Sequence, residues 1–102
     1  MLIEKISGLL GFDWDQWNRE KSEKKHGVTS IECEQVFFNK PLIIVHDEKH
    51  SKDEIRYFSL GKTHGKRGLA VIFTLRNKKI RVISARPMSR QERKVYEKEE
   101  NS

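Results

Sequence analysis

The sequence predicts an α+β domain in which a four- or five-stranded antiparallel sheet is flanked by two N-terminal helices and one C-terminal helix. Three observations support this fold class. Two segments with helix-capping residues come first, four apolar and β-branched segments follow with short turn-rich links, and a further capping signature follows the last of them. Consecutive strands with short connections favour an antiparallel meander.

The length of 102 residues allows one domain with one modest core, since only 35% of the residues are hydrophobic. Residues 1–11 are predicted to form a loosely attached leader, and residues 12–100 the single domain. The leader is too short to span a bilayer and is interrupted by Glu4 and Lys5. A membrane is therefore not among the expected partners.

Two helices are predicted before the sheet. Phe12 to Trp14 is a candidate edge strand, and Asp13 or Asp15 can cap a helix that runs to His26 and ends at Gly27. Trp14 and Trp17 are the only large apolar anchors of this polar helix. A second helix begins at the capping box formed by Thr29 and Glu32, and it carries the apolar residues up to a break at Asn39.

The four central strands are predicted at residues 42–46, 55–60, 69–76 and 79–86. Leu69 to Leu75 is apolar on both strand faces, which is typical of a central strand covered on both sides. Pro87 ends the last strand, and the capping box of Ser89 and Glu92 starts a third helix at about Arg90.

Positive charge is concentrated in one part of the chain. Gly61 to Lys94 holds eleven Lys and Arg residues against Glu92 alone, while the rest of the chain holds ten against fourteen acids, which together give the net charge of +6. A patch of this kind attracts polyanions through counterion release. Nucleic acid is therefore the leading class of partner.

Neither a cofactor nor a metal is expected. The single Cys33 cannot form an intrachain disulfide, which indicates a reducing compartment and hence the cytoplasm. The segment from His46 to His50, with Asp53 and Glu54, offers metal-ligating side chains, but it lacks a fixed ligand spacing and includes lysines. A solvated loop is the preferred interpretation.

Four arginines surround the end of the last strand, with Arg81 and Arg86 on the strand and Arg90 and Arg93 on the following helix. Guanidinium groups stay charged and present a planar set of donors that fits phosphate oxygens. We therefore expect them to concentrate positive charge on one concave face. The alternative is that Arg81 and Arg93 merely pair with Glu54, Glu92 or Glu97.

Several motifs occur in order over about Phe12 to Glu97. They are Trp14-Asp15, Lys25-His26-Gly27-Val28, Val36-Phe37-Phe38, Arg56-Tyr57, Gly61-Lys62-Thr63, the segment from Ile80 to Arg86, and Glu92-Arg93 with Tyr96. These motifs resemble the BrnT family of toxins from type II toxin–antitoxin modules, and the order of elements resembles the RelE-type ribonuclease toxins. Ser22 departs from the asparagine that members commonly carry there. The resemblance implies a small ribonuclease that arrests translation and is neutralised by a BrnA-type ribbon-helix-helix antitoxin, and their complex represses their own operon through operator DNA.

Metal-free RNA cleavage needs proton transfer and cations against the phosphate. The predicted catalytic residues are His26 and Glu92 for protons and Arg81, Arg86 and Arg93 for the phosphate, and the predicted RNA contacts are Lys24, Lys25, Lys62, Arg90 and Tyr96.

Other interpretations remain open for several of these residues. His26 also suits a helix C-terminus and Glu92 a helix cap, while Trp17, Tyr57 and Tyr96 suit core or rim packing as well as base stacking. The rival function is a non-catalytic nucleic-acid-binding module, or a degenerate toxin acting as corepressor with its antitoxin.

Overall fold

The computed structural model describes residues 11–50 and 53–102. All of the predicted leader except Gly11 lies outside the described residues, so its loose attachment stays a prediction. A 3-10 turn, Glu48–His50, follows the second strand. The main elements, in chain order, are β1 (Phe12–Asp13), α1 (Gln16–His26), α2 (Ser30–Val36), β2 (Ile43–His46), β3 (Arg56–Lys62), β4 (Gly68–Arg76), β5 (Lys79–Pro87) and α3 (Arg90–Glu100).

The ends of α1 are set by local signals, as predicted. Asp15 is the N-cap, and its side chain accepts from the backbone N–H of Trp17 at 2.8 Å. Gly27 ends the helix in the left-handed conformation with φ 64°, where glycine is favoured, and its N–H donates to the carbonyl of Glu23.

The helix α2 starts at the predicted capping box, in which the Glu32 N–H donates to Thr29 Oγ1 and the Thr29 N–H donates to Glu32 Oε1. It ends at Val36, earlier than the predicted break at Asn39. Val36 approaches β3 so closely that a Cβ on Gly61 would lie 2.6 Å from its Cγ1. The tight contact between α2 and β3 therefore requires glycine at position 61.

The sheet has the order β1-β5-β4-β3-β2, and the four longer strands form the predicted antiparallel meander. The short edge strand β1 pairs with β5 in parallel, so the five-stranded sheet is mixed. No hairpin joins β1 to β5, and its direction is therefore not fixed by a turn. The register between β4 and β5 shifts at Ile72 and Phe73, where Ile83 is left without a directly opposite residue, as in a β-bulge.

The two faces of the sheet support two clusters of buried side chains. One face packs under α1 and α2 around Val28, Cys33 and Val36, and the other packs under α3 around Met88 and Tyr96. The strand β4 contributes to both, which confirms its predicted central position. The Tyr96 hydroxyl donates to the carbonyl of Pro41 at 2.6 Å and fixes α3 over its cluster.

No helix within residues 11–50 and 53–102 is long and apolar enough to cross a membrane.

Candidate functional site

Arg86 and Glu92 form a bidentate ion pair at the junction of β5 and α3. Arg86 Nη1 donates to Glu92 Oε1 at 2.7 Å, and Nη2 donates to Oε2 at 2.9 Å. The α3 capping box brings the carboxylate to this position, since Glu92 Oε1 also accepts from the Ser89 N–H at 2.8 Å. One glutamate therefore caps the helix and holds the arginine.

This arrangement sets the protonation state of Glu92. The hydrogen bond from Arg86 outweighs burial and, with the bonds from Ser89, lowers the pKa of Glu92 from 4.5 to about 2, while the same contact raises the pKa of Arg86. A carboxylate with so low a pKa is a weak proton acceptor. The cap interpretation of Glu92 is confirmed, and its role as a general base stays a prediction.

Arg81 lies toward the opposite end of β5. Its side chain is 19% exposed, and it donates to Asp13 Oδ2 at 3.3 Å and to Asp15 Oδ2 at 3.1 Å. The register places Arg81 and Arg86 on the same face of β5, roughly 15 Å apart along the strand. The two arginines therefore do not form the single concentrated cluster that the sequence led us to expect.

A cationic cavity of about 360 Å³ lies between the turn joining β3 to β4 and the first turns of α3. Four cationic side chains and one carboxylate line this cavity. Its lining consists of Lys62, Lys66, Arg67, Gly68, Pro87, Met88, Arg93, Tyr96 and Glu97. The predicted residues Lys62 and Arg93 thus come together next to Arg86, which directly precedes Pro87.

Not every cation of the cavity is free. Lys62 Nζ pairs with Glu100 at 2.9 Å and lies 5.7 Å from the centre of the Tyr96 ring. Tyr96 itself is 1% exposed. Its ring is covered by the cluster under α3 and is not open to a stacking base, although Tyr96 lines the cavity, so its contact with RNA stays a prediction.

Arg67 links the cavity to the end of α1. Its Nη1 donates to the Gly27 carbonyl at 2.9 Å and its Nη2 to the His26 carbonyl at 3.2 Å, and it pairs with Glu32 at 3.2 Å. The exposed His26 therefore lies at the same end of the sheet as Arg86 and Arg93. The basic residues of the last turn of α1 also suit the helix dipole, so the C-terminal interpretation of His26 holds as well.

Sequence reasoning missed Lys66 and Arg67 as members of this region. Both lie in the segment of concentrated positive charge, which was the available signal, but the contacts of Arg67 join residues 35 to 41 positions apart. Of the other predicted RNA contacts, Lys24 and Lys25 are exposed on α1, and Arg90 is exposed at the start of α3.

Two other kinds of chemistry would require a cysteine nucleophile or a metal site. Burial raises the pKa of the Cys33 thiol to about 12, so this cysteine is unsuited to act as a nucleophile. Within the described part of the chain, no three His, Cys, Asp or Glu side chains are grouped so that they could hold a metal ion.

Comparisons with known proteins found a matching family and a similar fold. The family model described as the ribonuclease toxin BrnT of type II toxin–antitoxin systems matches residues 14–92. The crystal structure of the Brucella abortus ribonuclease toxin BrnT matches with a TM-score of 0.60 at 24% identity, over 79% of this chain and 99% of that one, which shows a shared fold. No curated protein sequence matches.

Proposed function

Because this chain belongs to the BrnT family of ribonuclease toxins of type II toxin–antitoxin systems, we propose that it is a metal-independent endoribonuclease that arrests translation in the cytoplasm. The observation that carries the proposal is the Arg86–Glu92 pair beside a cavity lined by four cations and one acid, in which two of the cations also pair with Glu32 and Glu100 outside the lining. Such a site suits the phosphate of a single RNA strand.

Arg86 and Arg93 would hold the scissile phosphate. A guanidinium has five N–H donors. In Arg86 both hydrogens of Nη1 and one of Nη2 are directed to Glu92 and the Pro87 carbonyl, which leaves Nε and the second Nη2 hydrogen for a phosphate. Because Glu92 fixes the orientation of the guanidinium, these donors can act on the developing charge without reorganising.

His26 would transfer protons in this mechanism. An imidazole can both take the 2′-hydroxyl proton and return one to the leaving oxygen. Its place at the end of α1, tied by Arg67 to the cavity wall, supports this role. Glu92 would then position Arg86 in place of moving protons, and the cations Lys24, Lys25, Lys62 and Arg90 would contact the flanking phosphates.

Membership of the family implies an antitoxin partner. We expect a ribbon-helix-helix antitoxin that lays an acidic segment over Arg81, Arg86 and α3, dimerises through its own DNA-binding part, and brings two toxin chains to operator DNA. An acidic segment would offset the charge of the cavity and exclude RNA from it.

The test is cleavage of RNA by purified protein, with Arg86→Ala compared with Arg76→Ala. Arg76 also pairs with one glutamate, Glu54 at 3.1 Å, but it lies at the other end of the sheet. Removing one preorganised donor typically costs about 2.7–4 kcal/mol, or roughly 100- to 1,000-fold in rate. We expect that loss in Arg86→Ala only, and full activity of a folded Arg86→Ala protein would refute the phosphate site.

The alternative is a corepressor that binds nucleic acid without cleaving it. The contact that favours it is again the Arg86–Glu92 pair, because an arginine satisfied by a carboxylate serves as well for structure as for catalysis. Wild-type protein that binds RNA and forms the operator complex but leaves RNA intact would establish this function.

A further inference from the structure

Trp17 is an exposed aromatic residue that the fold does not use. Its side chain is 72% exposed, which corrects the expectation that it anchors α1. Trp14 anchors this region, since its Nε1 donates to Glu34 Oε2 at 2.8 Å and its ring packs against the core. The indole of Trp17 is therefore open to a ligand on the surface of α1.

The surroundings of Trp17 are cationic and lie on one helix face. Lys21, Lys24 and Lys25 follow at four, seven and eight positions, the spacing that places side chains on one side of an α-helix. Together with Glu20 they line a surface depression of about 300 Å³. The lining of this depression thus combines three cations and an exposed aromatic ring with a single carboxylate.

We propose that this face of α1 binds single-stranded RNA, with one base stacked on Trp17 and the neighbouring phosphates against Lys21, Lys24 and Lys25. The inference rests on the proposed RNA substrate and extends it to a second contact region. Unpaired bases can leave their own stack and lie on an aromatic side chain, and the basic groups follow the backbone. An acidic peptide would satisfy the lysines but would leave the indole without a planar partner.

The proposed RNA-binding face of α1 leads along the helix toward the cationic cavity. Trp17 lies nine residues before His26, which corresponds to roughly 14 Å along the helix axis. The carbonyl of His26 accepts from Arg67, which lines the cationic cavity. An RNA strand held at Trp17 would therefore continue along α1 toward the proposed cleavage site, and longer strands should bind better than dinucleotides.

The test uses a single-stranded oligonucleotide with 2′-O-methyl riboses, which cannot be cleaved through its 2′-hydroxyls, and measures binding by anisotropy. Loss of one stacked base corresponds to roughly 5- to 150-fold weaker binding, and we expect this for Trp17→Ala, whereas Trp17→Phe should bind within about threefold of the wild type. The oligonucleotide should quench tryptophan fluorescence in the wild type and not in Trp17→Phe.

Two matched controls separate stacking and charge from general effects. Phe38 is about as exposed as Trp17, at 73%, but it lies outside α1 and does not line the depression with the lysines, so Phe38→Ala should bind as the wild type does. Lys24→Gln should make the plot of log affinity against log salt shallower by about 0.7, the value for one phosphate contact on a single strand. Lys49→Gln, beyond β2 at the opposite sheet edge, should leave that slope unchanged.

Equal binding by Trp17→Ala and the wild type, or an equal loss in Phe38→Ala, would overturn the proposal. It would also be overturned if Trp17→Ala bound RNA normally and lost affinity for the antitoxin. These results are separable from the proposed function. If Arg86→Ala cleaves RNA normally while Trp17→Ala loses binding, the cleavage site is wrong and the α1 contact stands.

Discussion

Replacing Glu92 with glutamine tests whether this residue positions Arg86 or acts as a base. Glutamine is accepted at the third position of a capping box, so Glu92→Gln keeps the helix cap and the shape of the side chain. What it removes is the negative charge that pairs with Arg86 at 2.7 and 2.9 Å.

The size of the effect follows from the pKa of Glu92, which is lowered from 4.5 to about 2. That difference corresponds to about 3 kcal/mol of stability if it is fully expressed. The Arg86 side chain is 41% exposed, so solvent screens the pair, and we expect about 1–2 kcal/mol. Because the folded-state pKa is depressed, this stability is present above pH 4.5 and is lost as the pH falls toward 2.

The assay is urea unfolding of the wild type and Glu92→Gln from pH 7 down to pH 2.5, with Glu99→Gln as the control for an exposed carboxylate on the same helix that does not line the cationic cavity. The free energies of unfolding of the wild type and Glu92→Gln should differ at pH 7 and converge at low pH. A constant difference across this range, or none at pH 7, would refute the ion-pair argument. In cleavage assays a positioning role lowers kcat with the pH profile unchanged, whereas loss of the acidic limb would identify Glu92 as the base.

Three other outcomes are expected. Arg81→Ala should lower the free energy of unfolding by about 1.5–3 kcal/mol, because it leaves Asp13 and Asp15 without their arginine, whereas Arg76→Ala should lower it by less than about 1 kcal/mol. Equal losses in urea unfolding would argue against a stabilising role of the Arg81 ion pairs. Cleavage should persist in excess chelator and leave 2′,3′-cyclic or 3′-phosphate ends, since His26 and the arginines supply the chemistry; activity restored only by added Mg²⁺ or Zn²⁺ would reverse this. The association rate with the antitoxin should fall steeply with salt before the affinity does, and a rate independent of salt in stopped-flow measurements would rule out electrostatic neutralisation.

The local structure could be predicted because its causes lie within a few residues. The boxes at Thr29 and Ser89, the left-handed Gly27 and the apolar run of β4 all have the form that the sequence indicated. The tight pairing of Arg86 with Glu92 spans only six residues, and it follows once the strand, the cap and the helix are placed.

The contacts that assemble the candidate site join residues that are far apart in the sequence. Arg81 meets Asp13 and Asp15 across more than 60 positions, because β1 joins the sheet in parallel beside β5. Arg67 reaches the carbonyls at the end of α1 across about 40 positions. Nothing in the local pattern of charges distinguishes these partners from other acids and carbonyls of the chain.

Local propensity, composition and motif were enough to predict the fold class, the order of the elements, the concentration of positive charge and the family. The packing of the folded chain was needed to show which cations are free to meet a ligand. In the folded chain Arg81 pairs with two aspartates and Arg67 donates to the carbonyl of His26. Tyr96 is buried and Trp17 is exposed. The physical reason is that burial and ion pairing depend on which distant segments pack together, and that packing is a property of the whole chain.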